Sequence, residues 1–132
     1  ISSQNIMTNF ESVTREAYKY LIDKLVVACR EGGGSSRFEK FGKITPPLDE
    51  NVTPYREFGD SLNESQRKIF ITILQEERCD AFHDVLAQLS WWLEDKNVKM
   101  TIDNESVPIG IEGDMHNDFV GRYLGAKWPN EQ

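Results

Sequence analysis

The sequence predicts an α+β protein that is mostly α, with a helical core of two or three main helices, a β-hairpin and a short C-terminal helix. Apolar residues recur with a helical period over two long segments and then alternate with polar residues over a later one. N-cap and glycine signals frame a last short helix. A chain of 132 residues has the usual length of one domain, so a single domain over 1–132 is expected.

The region 61–95 contains no glycine or proline, and the other elements are expected to pack around it. Its apolar residues follow the period of a helix with one buried face. Ser61 and Glu64 have the form of a capping box, which places the start of the region near Ser61. Because the period lapses in the middle, the pattern predicts either two helices that meet near Arg78–Asp80 or one long helix with a polar middle.

A first helix is predicted over about 8–31, where Thr8 and Glu11 form another capping-box pair and Gly32 is a stop signal. We expect its apolar stripe to face the 61–95 region, and we expect Leu21 and Leu86 to be core residues. The stripe consists of Phe10, Val13, Ala17, Leu21, Leu25 and Ala28, widened by Tyr18, Ile22, Val26 and Cys29.

The segment 32–60 is predicted to be a connector followed by a long loop. Its glycine- and serine-rich start follows a helix and lacks the Gly-Lys-Ser/Thr of a phosphate-binding loop, so a flexible connector is expected. Three prolines between 46 and 54 forbid a long helix. Aromatic residues along the loop are expected to pin it to a helical surface, and a loop of this length is a candidate binding surface.

After Asp95 the apolar period changes from 3.6 to 2, which predicts a β-hairpin over 98–111 with its turn at 103–106. Asp114 has the form of an N-cap and Gly125 that of a C-terminal stop. These two signals predict the short last helix, over 114–124.

Charge and composition limit the classes of partner and compartment. The net charge is −7, with +2 through Lys43 and −9 from Ile44 onward. Such an acidic portion repels nucleic acid, and no apolar run reaches the roughly 20 residues of a membrane span. Cys29 and Cys79 are expected to be reduced and partly buried, as in a cytoplasmic protein. The first residue is Ile1, which indicates a fragment or processed product and leaves open a removed signal peptide.

The two histidines suggest a metal site, but the pattern around them is incomplete. Asp80 and His83 have the carboxylate-x-x-His spacing of di-metal bundles, although the chain does not repeat it. We therefore predict no metal, no cofactor and no catalytic residue, and expect no loss of stability with a chelator. A small metal-dependent, hydrolase-like protein is the alternative, with a two-histidine and carboxylate site made of Glu76, Asp80, His83, His116 and Asp118.

Four short segments carry a resemblance to a known family. They are Leu-Gln-Glu-Glu-Arg at 74–78, His-Asp-Val-Leu-Ala at 83–87, Asp-Phe-Val-Gly-Arg at 118–122 and Trp-Pro at 128–129. With them the chain resembles, over roughly 55–129, a family of small bacterial proteins without assigned function. The resemblance implies a bacterial origin and transfers no activity or site.

The function predicted from these observations is a non-enzymatic, cytosolic protein–protein interaction module, of the immunity or antagonist kind, with a basic protein as its partner. The acidic portion, the aromatic loop and the lack of a catalytic constellation support it. Of the adjacent tryptophans, Trp92 is predicted to face the core, because Leu89 and Leu93 share its side of the helix. The candidate partner-binding residues are Trp91, Tyr55, Phe58, Glu76 and Glu77.

Overall fold

The structure, a computed structural model, describes residues 3–41 and 53–129, and describes side chains over 13–40 and 54–129 except at Tyr55. The predicted class is confirmed: the protein is α+β and mostly α, with a two-stranded antiparallel hairpin and a short C-terminal helix. In chain order the elements are α1 (Ser3–Glu31), α2 (Gly33–Phe41), α3 (Thr53–Ser61), α4 (Glu64–Asp95), β1 (Thr101–Ile102), β2 (Glu105–Ser106) and α5 (Met115–Tyr123).

The chain divides into two compact units. The first unit combines residues 1–26 with residues 82–132, and the second unit consists of residues 27–81. Among the helices of the described residues, none has the length and hydropathy of a membrane span.

Helix α4 is one continuous helix of 32 residues, which decides between the two alternatives for this region. The capping box lies two residues beyond the predicted one. Asn63 Oδ1 accepts a hydrogen bond from the Gln66 backbone N–H at 2.8 Å, and Gln66 Oε1 accepts one from the Asn63 N–H at 2.9 Å. At its other end Asn97 has φ of 55°, the left-handed conformation in which helices often end, and the Val98 N–H donates to the Trp92 carbonyl at 3.4 Å.

Helix α1 begins earlier than predicted, at Ser3, and its buried face falls on the residues that widen the predicted stripe. Tyr18, Ile22 and Cys29 are fully buried, whereas Val13 is exposed and Leu21 is 36% exposed. The prediction that Leu21 belongs to the core is wrong. The hydroxyl of Tyr18 has a hydrogen-bond partner in this buried position, as described below.

The predicted connector over 32–60 is wrong for 33–41 and 53–61, which form α2 and α3, while 42–52 lie outside the described residues. Gly32 and Gly33 allow the Arg78 side chain to lie close to the backbone. Arg78 Nε donates to the Cys29 carbonyl at 2.9 Å and Nη2 to the Ala28 carbonyl at 3.1 Å, so its guanidinium caps the end of α1. A Cβ at Gly32 or Gly33 would lie 2.6 Å from that guanidinium, and Gly33 has φ of +82°.

The hairpin is confirmed, but it is shorter than predicted. Thr101 pairs with Ser106 and Ile102 with Glu105, so the turn contains two residues instead of four. Those residues, Asp103 and Asn104, have φ of 51° and 68°, the positive values of a type I′ turn. The prediction of a second strand through Ile111 is wrong, because the backbone of 111–113 is bonded to a side chain instead.

The apolar core of the first unit lies between residues of α1, α4, the segment after β2, α5 and the C-terminal tryptophan. Phe82 and Phe119 stack with ring centroids 5.5 Å apart. The buried apolar residues of this unit are Tyr18, Ile22, Leu86, Leu93, Val107, Met115, Phe119 and Trp128. In the second unit Phe38 packs edge-to-face on Phe70 with centroids 5.1 Å apart, and Cys29 and Cys79 are also buried.

We expect Leu86→Ala to lower the free energy of unfolding by about 2–5 kcal/mol, because a buried leucine leaves a cavity. Leu21→Ala is the matched control in α1, and its cost should be smaller because Leu21 is partly in water. Urea midpoints of the two variants check the difference. Equal losses would contradict the buried face described for α1.

Candidate functional site

The carboxylate of Asp118, on α5, accepts four hydrogen bonds in the first unit. Oδ2 accepts from the Tyr18 hydroxyl at 2.6 Å and from the Ile111 N–H at 2.7 Å. Oδ1 accepts from the N–H groups of Glu112 and Gly113 at 3.0 and 3.1 Å. Both oxygens are thus used, and the side chain is buried. The role of Asp118 is to join α1, the 111–113 segment and α5.

The segment that Asp118 holds is folded tightly on itself. A Cβ at Gly110 would overlap the carbonyl oxygen of Gly113, so only glycine fits there. Asp114 precedes α5 in extended backbone, as predicted for an N-cap, but its side chain makes no cap hydrogen bond. Asp118, in the first turn of the helix, binds the preceding backbone instead.

A second polar network lies nearby in the same unit, on Asp23 of α1. Arg122 donates to both of its oxygens, from Nε at 2.8 Å and from Nη2 at 3.2 Å, and Trp128 Nε1 donates to Oδ2 at 3.3 Å. The Arg122 guanidinium also lies over the Trp128 ring, 5.0 Å from its centroid. Sequence reasoning missed this network, because nothing in the spacing of 23, 122 and 128 marks them as neighbours.

A cavity of about 160 Å³ lies between these two networks. It is smaller than the roughly 300–1,000 Å³ of ordinary ligand pockets. Its acidic and basic walls, Asp118 and Arg122, are engaged in the hydrogen bonds described above. The arrangement stabilises the first unit and offers little to a small molecule.

The two histidines come together in the first unit, which sequence reasoning left open. The rings of His83 and His116 meet edge-to-face with centroids 5.1 Å apart. His83 Nδ1 lies 3.1 Å from Asp84 Oδ1, and His116 Nδ1 lies 3.5 Å from the hydroxyl of the buried Ser90. Ser90 is in the middle of α4, where no sharp turn presents its hydroxyl as a nucleophile.

The candidate metal ligands are distributed over the chain. His83, His116 and Asp118 belong to the first unit, whereas Glu76 and Asp80 are exposed residues of the second. Asp118 is committed to its four hydrogen bonds. Within the described residues, no three His, Cys, Asp or Glu side chains are grouped so as to hold a metal ion.

The exposed end of α4 carries a group of large apolar side chains that we call the tryptophan face, made of Val85, Leu89, Trp91 and Trp92. The prediction that Trp92 faces the core is wrong, since Trp92 is 49% exposed and Trp91 44%. Leu93 and Leu86 occupy the buried direction instead. The two indoles pack edge-to-face, 5.5 Å between centroids, and Lys96 Nζ lies 4.9 Å from the Trp91 ring centroid.

Carboxylates surround the C-terminal end of α4. The last two residues of the helix, Glu94 and Asp95, are acidic, and its last turn contains no basic residue. Glu94 is hydrogen-bonded to Asp114, which raises the pKa of the Glu94 carboxyl. Negative charge at a helix C-terminus opposes the helix dipole, so this arrangement is locally unfavourable.

Comparison with known proteins places the chain in a protein family that has no assigned function. The chain belongs to the family of unknown function DUF6547, whose model matches residues 11–130. The resemblance to an uncharacterised family is therefore confirmed. No curated protein and no solved structure matches the chain. Three residues of the segments that carried the resemblance, Asp118, Arg122 and Trp128, are members of the two polar networks.

We expect Asp118→Asn to lower the free energy of unfolding by about 3 kcal/mol, since an amide nitrogen replaces one acceptor opposite buried donors. Tyr18→Phe, which leaves the three backbone donors paired, should cost about 1–2 kcal/mol. Chemical denaturation at neutral pH measures both. If Asp118→Asn were as stable as the wild type, the hydrogen bonds to the carboxylate would not stabilise the first unit as described.

The hydrogen bond between Tyr18 and Asp118 leads us to expect that the protein loses stability at alkaline pH. Burial, and then the hydrogen bond to Asp118, raise the pKa of Tyr18 well above its ordinary value of 10.0. The unfolded chain therefore releases this proton near pH 10 while the folded chain retains it, and stability falls as the pH rises further. Thermal midpoints between pH 9 and 11 should fall more steeply for the wild type than for Tyr18→Phe.

For the metal alternative, we expect purified, untagged protein to contain much less than one transition-metal ion per chain and to keep its thermal midpoint in chelator. The reason is that Asp118 is not available as a third ligand beside the histidines. Elemental analysis and calorimetry test this. One ion per chain, lost in His83→Ala, would instead favour the metal-dependent hydrolase.

Proposed function

We propose that this protein is a non-enzymatic binding module that holds a basic partner protein through the tryptophan face, as an antagonist or immunity-type protein does. The observation that carries the proposal is a pair of half-exposed tryptophans beside carboxylates at the end of α4. Aromatic anchors of this kind are enriched among the residues that dominate binding energy.

The apolar part of the surface is continuous along one side of the helix. Val85, Leu89 and Trp92 are spaced by four and three residues, so they lie on the same side of α4. Val85 is 68% exposed, and Leu89 is also exposed. Trp91 extends the patch through its contact with Trp92. Grouped apolar side chains rimmed by charge are typical of protein-binding sites.

The charge of the same surface selects the partner. Between Asp80 and Asp95 the sequence has four acidic residues and no lysine or arginine. Asp84, Glu94 and Asp95 are exposed carboxylates of the first unit. A second copy of the chain would bring the same negative charge to the contact, whereas a partner rich in lysine or arginine would be attracted.

The position of Lys96 indicates where a cation of the partner would bind. Its ammonium group lies against the Trp91 ring in a cation–π contact. An arginine or lysine of the partner would displace Lys96 and gain the neighbouring carboxylates of Glu94 and Asp95. The acidic helix end, unfavourable in the isolated chain, becomes favourable in the complex.

The remaining predicted partner-binding residues lie in the second unit and rank lower. Phe58 is exposed, but its ring packs on Phe70 with centroids 5.3 Å apart, so part of it already has a partner. Glu76 and Glu77 are exposed. The side chain of Tyr55 lies outside the described residues.

Photo-crosslinking in the source cell tests the proposal. A photoreactive phenylalanine replaces Trp91 in one variant and Val13, an exposed apolar residue of α1, in the control. We expect the Trp91 variant to yield an adduct with a basic protein that the Val13 variant lacks. An adduct with a second copy of the chain, or the same adducts at both positions, would overturn the proposal.

Kinetics with the captured protein then separate the two contributions. Trp91→Ala should raise the dissociation rate roughly 30-fold, the effect of losing about 2 kcal/mol at a hot spot. Asp84→Lys with Asp95→Lys should mainly lower the association rate, and more so at low salt, because screening acts over about 8–10 Å. Leu124→Ala, an exposed residue after α5, is the matched control. Rates for Trp91→Ala equal to those of the control would contradict the anchor.

A further inference from the structure

Two buried cysteines of the second unit lie on helices that are bonded to each other at that level. Cys29 lies near the end of α1 and Cys79 in the middle of α4. Both are free thiols, Cys29 fully buried and Cys79 only 9% exposed, and they are hydrogen-bonded to each other. Gln75, one turn before Cys79 on α4, and Arg78, directly before it, both bond the Cys29 carbonyl, which places the two cysteines at the same level of the two helices. A disulfide needs Cβ atoms about 3.5–4.5 Å apart, so neighbouring positions of this kind are where one can form.

The surroundings of the pair are polar and ordered. Gln75 Nε2 lies 3.8 Å from Cys29 Sγ and donates to the Cys29 carbonyl at 3.2 Å, while its Oε1 accepts from the Ser35 hydroxyl at 2.8 Å. Arg78 holds the same carbonyl from the other helix. Both helices are therefore tied together at the level of the two cysteines.

We propose that Cys29 and Cys79 are an oxidation site at which the chain forms an intrachain disulfide with peroxide. The thiolate of Cys79, the less buried residue, attacks one peroxide oxygen and becomes a sulfenic acid as the O–O bond breaks and water leaves. The thiolate of Cys29 then attacks the sulfenic sulfur and expels its oxygen as a second water. In total, two thiols and one hydrogen peroxide give one disulfide and two waters.

The same environment makes Cys29 and Cys79 slow to react with weak oxidants. Burial raises the pKa of both thiols, and the nearby Arg78 and Arg30 only partly oppose that effect at Cys29. Little thiolate is present at neutral pH, so the reaction is slow with weak oxidants and becomes significant under sustained peroxide. At Cys79 burial contributes most to the raised pKa, and the neighbouring Cys29 and Asp80 contribute less.

The bond would change how the second unit unfolds. It would connect α1 to α4 directly and close a loop that contains α2 and α3. Closing a loop of this length restricts the unfolded chain, so the oxidised form should unfold at a higher temperature than the reduced form. This effect does not depend on the proposed partner.

The test uses the purified full chain, first reduced and then treated with hydrogen peroxide. We expect intact mass to fall by two hydrogen atoms, a proteolytic peptide to link Cys29 to Cys79, and both thiols to resist maleimide in denaturant until a reductant is added. Cys29→Ser and Cys79→Ser are the controls, and each should show no such mass loss. Thermal midpoints of the oxidised and reduced wild type measure the predicted stabilisation.

Other products would overturn the inference. Sulfinic acid at one cysteine without a linked peptide would show that the thiols do not meet. A disulfide between two chains, seen as a dimer without reductant, would show that they react in another arrangement. The wild-type measurement alone decides these outcomes, so a serine variant that folds poorly leaves the test valid.

Discussion

The structure of the first unit depends on the buried carboxylate of Asp118. It receives the Tyr18 hydroxyl from α1 and three backbone N–H groups from 111–113, all within hydrogen-bonding distance. Backbone donors of a segment with no strand partner must be satisfied by something else. A single side chain does this here, and it thereby fixes where α5 begins and which residues of α1 face inward.

Local signals predicted the elements better than they predicted their faces. The glycine stop at the end of α1, the hairpin and the last helix follow from backbone preferences that act over a few residues. The exact buried face of α1 does not, because the helical period allowed both Leu21 and Ile22 to face inward. Packing buries Ile22 together with Tyr18, whose hydroxyl bonds a residue 100 positions away. The apolar alternation over 107–111 has the period of a strand, but Asp118 accepts the Ile111 N–H that a partner strand would have taken.

The candidate site was predicted in part. Trp91 was selected because adjacent helical residues cannot both face the core, and its indole is indeed exposed. The same argument assigned Trp92 to the core, which is wrong, since Leu86 and Leu93 fill that direction. No sequence pattern indicated the network of Asp23, Arg122 and Trp128, because these residues meet only when α1 and α5 pack together.

The hydrogen bond between Glu94 and Asp114 has a consequence for the energetics of recognition. Because its neighbour Asp114 raises the pKa of Glu94, this carboxyl holds a proton more tightly than an isolated glutamate does. A partner's cation placed beside Glu94 would favour the ionised form and expel that proton. The heat of binding would then vary with the ionisation enthalpy of the buffer, so that hydrogen ions and the partner compete for one carboxylate.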